Sequence, residues 1–97
     1  MDEDSVVGKW GAFESQTSDG NVKTYKKPRY TFIFEKDGTG VMRVFFFKVK
    51  IRWEIREKGI ALINVDDGTT QLLIPMSDTK LGFEDGKGNI AYLTKMD

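Results

Sequence analysis

Ninety-seven residues, 39% hydrophobic and 31% charged, make one domain (1–97) that can bury a core without staples and is too apolar for a disordered chain. Cysteine and histidine are both absent, which removes disulfides, thiol and imidazole chemistry, and zinc or copper sites built on S and N ligands. Catalysis would fall to carboxylates, lysines, tyrosines or hydroxyls, so the expectation is a protein that is not an enzyme and carries no cofactor or metal. Fifteen bases balance fifteen acids, but residues 1–20 carry −4, residues 21–58 carry +7 and residues 59–97 carry −3. A basic middle between acidic ends either binds an anion or is neutralised within one fold, and short basic runs favour neutralisation.

Residues 1–5, acidic at Asp2, Glu3 and Asp4, read as a disordered tail. They lack the basic region that opens a signal peptide, and no apolar stretch approaches the ~20 residues of a membrane span. Such a chain is either intracellular or the mature part of an exported protein. From residue 7 onward, runs of β-branched and aromatic residues with period two cover 7–13, 29–36, 40–47, 49–57, 60–65, 69–76, 80–84 and 90–95. Asp19-Gly20, Asp37-Gly38, Lys58-Gly59, Asp67-Gly68 and Asp85-Gly86 supply residues suited to tight hairpins. Eight short strands joined by hairpins predict an all-β, up-and-down antiparallel barrel, with at most one turn of helix.

The connection 14–28 is longer than the rest. It is either a lid over one barrel end or an extra hairpin turning at Ser18-Asp19-Gly20-Asn21, with Val22-Lys23-Thr24-Tyr25 as its return. Residues 41–57 contain no usual turn residue. One long strand, or two strands with a turn near Lys48, would satisfy them, and the rarity of long unbroken strands favours two. In one alternating register Phe45, Phe47, Val49, Ile51, Trp53 and Ile55 point inward. Met42, Val44 and Phe46 then form an outward apolar strip, either covered by the first connection through Val22 or Tyr25, or used where two copies meet as a homodimer.

Gly8-Lys9-Trp10 on the first strand, Tyr30-Thr31-Phe32-Ile33-Phe34 before Asp37-Gly38-Thr39-Gly40, Trp53-Glu54-Ile55, Ile60-Ala61-Leu62-Ile63 and the closing 90–95 together resemble the lipocalin-like domains common in Bacteroidetes. Order and spacing carry the resemblance, which spans nearly the whole chain. It implies a lipocalin-like small β-barrel whose Trp10 closes one end. In lipocalins an Arg from the barrel's end packs on that Trp; here the last strand offers Lys95. Members of the bacterial family are typically exported, often as lipoproteins, so the resemblance also implies export to the periplasm or cell surface.

Candidate sites divide between two readings. Trp10, Tyr25, Tyr30, Phe32, Phe45 and Trp53 are the candidate ligand-binding residues for a small apolar or amphipathic molecule at the barrel mouth near 14–28. The competing reading makes the two Trp and the Phe rings core. An eight-stranded barrel barely exceeds its own side chains, and each ring buries ~150–250 Å², so a shallow mouth pocket or none is expected. Met42, Val44 and Phe46 are the candidate interface of the second function, a protein-interaction or structural domain of an exported protein. Lys48, Lys50, Arg52 and Arg56 lie opposite the aromatics of their strand, which disfavours nucleic acid. Asp66-Asp67-Gly68 and the segment 84–89 read as turns rather than calcium loops.

Overall fold

The computed structural model describes residues 2–84 and 86–96, so Asp85 of the expected Asp85-Gly86 turn lies outside the described residues. Among them, a single helical turn α1 (Glu3–Val6) precedes nine strands: β1 (Gly8–Gln16), β2 (Val22–Thr24), β3 (Thr31–Phe34), β4 (Thr39–Val44), β5 (Phe47–Arg56), β6 (Gly59–Asn64), β7 (Thr70–Ser77), β8 (Lys80–Glu84) and β9 (Ile90–Met96). All pairings are antiparallel. β1 and β3 to β9 form a meander that closes on itself through β1 and β9, giving an eight-stranded barrel without free edges along its wall. β2 is the ninth strand, paired only with the distal half of β1, Glu14 to Thr24 and Gln16 to Val22. The 14–28 connection is therefore the extra hairpin of the two alternatives, turned by Gly20 at φ 92°.

The closed end is built around Trp10, which is fully buried. Its Nε1 donates to the Val6 carbonyl at 2.8 Å, and the Lys95 ammonium donates to the Ser5 carbonyl at 2.7 Å while lying 5.6 Å from the indole centroid. A helix end leaves its last carbonyls without partners, and these two side chains supply them. Lys95, offered by the last strand where the resemblance implied an Arg, thus adds a cation–π contact to the indole. Gly8 is required beside them: its φ is 132°, and a Cβ there would meet the Lys95 stem at 3.3 Å. The expectation of a disordered tail is corrected by the same contacts. Asp2 caps α1 by accepting from the Ser5 backbone N–H at 2.9 Å, and Val6 is fully buried.

Alternation sends Phe32, Phe34, Ile51, Trp53, Leu62, Leu73, Leu81 and Leu93 into one core. Its rings form a continuous file along the interior. Trp53 meets Phe34 at 5.8 Å, Phe34 stacks on Phe32 at 5.8 Å, and Phe32 meets Tyr30 at 5.7 Å and Phe83 at 6.4 Å. Trp53 also ties down the β3–β4 turn by donating to the carbonyls of Glu35 and Thr39 at 2.8 and 3.1 Å.

The segment between β4 and β5 departs from expectation. The chain turns at Phe45-Phe46, ahead of Lys48, because Val44 pairs with Phe47. Residues paired across a two-residue loop share a face, so inside–outside parity does not run straight through it. Met42 and Val44 consequently follow Gly40 on the inner face, with Met42 packed against the core, and the expected outward strip of Met42, Val44 and Phe46 does not exist. Phe45, expected inside, occupies the turn with φ 54°. Phe47 keeps inward parity but stands beyond the rim. Phe45, Phe46 and Phe47 are 88%, 100% and 73% exposed, so the first connection does not cover Phe46.

Candidate ligand site at the open mouth

Up-and-down connectivity puts α1 and the turns at 35–38, 57–58 and 78–79 at one end. The other end carries the β1–β2 hairpin, the Phe45-Phe46 turn and the loops 65–69 and 86–89. A β-bulge at Phe13, between Ala12 and Glu14, builds the mouth at this second end. The extra residue re-aims β1, so that Ser15 pairs with Ala91 and Lys23 on the inner face. Phe83, Ala91, Ser15 and Lys23 then form a row across the opening.

Tyr30 and Phe83 form the floor, their centroids 6.5 Å apart, and they close the ring file from above. Over them lies an open depression of about 350 Å³ whose wall includes Ser15, Gln16, Lys23, Tyr25, Arg29 and Ile90. The Tyr25 hydroxyl is 3.1 Å from Ser15 Oγ and accepts from Arg29 Nη1 at 3.5 Å, while the guanidinium carbon lies 5.4 Å from the Tyr25 ring centroid. The Ser15 hydrogen bond, then the Arg29 hydrogen bond and charge and the Lys23 charge, hold the Tyr25 phenol below its usual range. Chemically the site has an aromatic floor and a cationic wall. It fits a small molecule with an apolar body and an anionic or strongly accepting head.

Of the sequence candidates, the structure brings together Tyr25 and Tyr30. Phe32 lies beneath them, and Trp53 further down the filled interior. Trp10 is at the opposite end, and Phe45 with Phe46 is on the neighbouring hairpin tip. Arg29 and Lys23 were missed as site residues. The signal for Lys23 was its place in Val22-Lys23-Thr24-Tyr25, but the bulge that turns it over the mouth has no marker in the sequence.

A second trough of about 560 Å³ shares Arg29 and Tyr30 and runs between Lys27 and the Arg43–Phe45 side of the β4 hairpin. On the outer wall Ile33, Val41 and Val65 line a groove of about 370 Å³ beside Lys50 and Arg52. Lys48, Lys50, Arg52 and Arg56 are exposed, with Trp53 on the opposite face of β5. The Asp67 carboxylate accepts from the Thr69 backbone N–H at 2.9 Å and from its hydroxyl at 2.7 Å, closing its own turn. No group of three or more carboxylates, histidines or cysteines converges on a point among the described residues. No helix among them is long and apolar enough to cross a membrane.

Closed eight-stranded meander, indole plug and short extra hairpin define a lipocalin-like fold. The chain is similar to the crystal structure of a lipocalin-like protein from Bacteroides uniformis, with TM-score 0.71 and 16% identity over 95% of this chain and 99% of that one. It is also similar to an uncharacterized protein from Bacteroides eggerthii, with TM-score 0.69 and 16% identity over 93% and 98% of the two chains. At this identity the likeness establishes the fold. No family model matches the sequence, and no curated protein matches it.

Proposed function

We propose that this is a non-enzymatic binding domain that holds a small amphipathic ligand at the open mouth of its barrel. One observation carries the reading: the file of rings from Trp53 to Tyr30 fills the interior, while Arg29 and Lys23 stand over its upper end. A ligand lies on the rings rather than among them, with its anionic head toward Arg29. Export to the periplasm or cell surface, implied by the sequence resemblance, belongs to the same proposal, and fractionation of cells expressing the full-length gene tests it.

The binding test is a titration with octanoate followed by backbone amide shifts, with octanol as the uncharged control. Octanoate should perturb Ser15, Lys23, Tyr25 and Ala91 and bind more tightly than octanol. Arg29→Gln should erase that preference while leaving the fold intact. Shifts that spread to Phe32, Phe34 and Leu81 would mean the ligand enters the barrel. Absence of any saturable shift would remove the mouth as a site for ligands of this class.

A further inference from the structure

The β4–β5 hairpin is built against the interests of stability. Three consecutive phenylalanines occupy its tip almost wholly in solvent. Phe45 takes φ 54° at a position where two-residue hairpins prefer Gly or Asn, a conformation that costs a bulky side chain energy. A tip that needed only to turn would carry Asn-Gly. Burial elsewhere in the chain does not explain it either, since the rings reach beyond the barrel rim.

Charge around the tip is one-signed. Residues 21–34 and 38–53 contain Lys23, Lys26, Lys27, Arg29, Arg43, Lys48, Lys50 and Arg52, and not one acid. Lys27, Arg29 and Arg43 line the trough at the base of the hairpin together with Phe45, and Arg43 is paired across the ladder with Lys48. Among the described residues, the acids of the open end are Asp19 in the β1–β2 turn, Asp66 and Asp67 in the β6–β7 loop and Glu84 at the end of β8, all outside these two runs of the chain. The molecule is therefore polarised, with an apolar point inside a cationic collar on one edge of the mouth.

We propose that this edge docks on an anionic lipid surface, with Phe45, Phe46 and Phe47 entering the interface and the collar contacting headgroups. The shape decides the occupant. A protein partner would need a preformed pocket for a convex, narrow aromatic tip, whereas a bilayer opens around one, and aromatic rings settle at the headgroup boundary. Complementary charge selects acidic lipids and orients the barrel with the mouth trough facing the surface.

Flotation of the full chain with vesicles of phosphatidylglycerol and phosphatidylcholine, and with phosphatidylcholine alone, tests this. The protein should float with the mixed vesicles, bind pure phosphatidylcholine more weakly, and release as salt rises. Phe46→Ser should lower partitioning roughly tenfold, on the scale of losing one inserted ring. Phe45→Gly should lower it while keeping a thermal midpoint at or above wild type, which separates lost docking from lost folding. Phe46→Trp should show a blue-shifted emission on addition of mixed vesicles. Failure to float, or flotation unchanged by Phe46→Ser, overturns the proposal. So does a dimer in sedimentation velocity that dissolves on Phe46→Lys, because a second copy would then be the occupant.

Discussion

Trp10 shows how one residue joins local and global structure. Its ring fills the closed end, its N–H serves α1, and its face receives Lys95, so three elements meet on one side chain. Trp10→Ala should cost about 3–5 kcal/mol through transfer and cavity terms, read as a lowered urea midpoint with unchanged slope. Trp10→Phe keeps most of the packing but leaves the Val6 carbonyl without its donor, and should cost about 1–3 kcal/mol. Midpoints that barely move would show that the indole is not core. The role of Trp10 was legible because Gly-x-Trp sat at the head of a β-meander. That Lys95 would cover it was not, because the contact depends on where β1 and β9 close the barrel, a pairing of distant segments.

Hairpins are the unit at the next scale, and carboxylates close several of them. Asp37 accepts from the Thr39 backbone N–H at 3.0 Å and hydroxyl at 2.6 Å, and Asp67 repeats the pattern with Thr69. For Asp37 the Thr39 side chain, then its backbone N–H, holds the carboxyl below the ordinary range; for Asp67 the backbone N–H of Thr69 comes first. A carboxylate with a depressed folded pKa contributes stability above its unfolded value, about 3.9, and loses it as pH falls through the folded one. The thermal midpoint should therefore drop as pH falls below about 4. Asp37→Asn with Asp67→Asn should flatten that drop and lower the neutral-pH midpoint toward the acid value, since the neutral amide still accepts in the turn but lacks the charge that strengthens those bonds. An equally steep acid loss in the double variant would place the sensitivity elsewhere.

These turns were readable because Asp-Gly carries its geometry in two residues, and strands between them followed from period two. The β4–β5 turn was not, because Val44-Phe45-Phe46-Phe47 has strand composition throughout and extrapolated parity assigned each ring a face. Pairing of Val44 with Phe47 breaks that parity, moving Met42 and Val44 inside and Phe45 out. The bulge at Phe13 hid part of the mouth in the same way. Where backbone irregularity departs from a local pattern, the sequence around it still reads as regular strand.

For the whole molecule, the governing fact is the ratio of rings to barrel length. Eight strands enclose a space only wide enough for side chains or one small ligand, and here Trp53, Phe34, Phe32, Tyr30 and Phe83 occupy it in sequence. Filling the interior stabilises the fold and, in the proposed function, leaves recognition to the rim, where the cationic mouth and the phenylalanine tip share one end. Thermal denaturation with palmitate against octanoate tests this claim most directly. The open mouth takes a carboxylate head and a short apolar body, whereas the rest of a long acyl chain needs an internal cavity, so palmitate should raise the midpoint no more than the same concentration of octanoate does. A palmitate shift well beyond the octanoate one, toward the roughly 2.7 kcal/mol that a ligand supplies at a hundredfold its dissociation constant, would contradict a filled barrel.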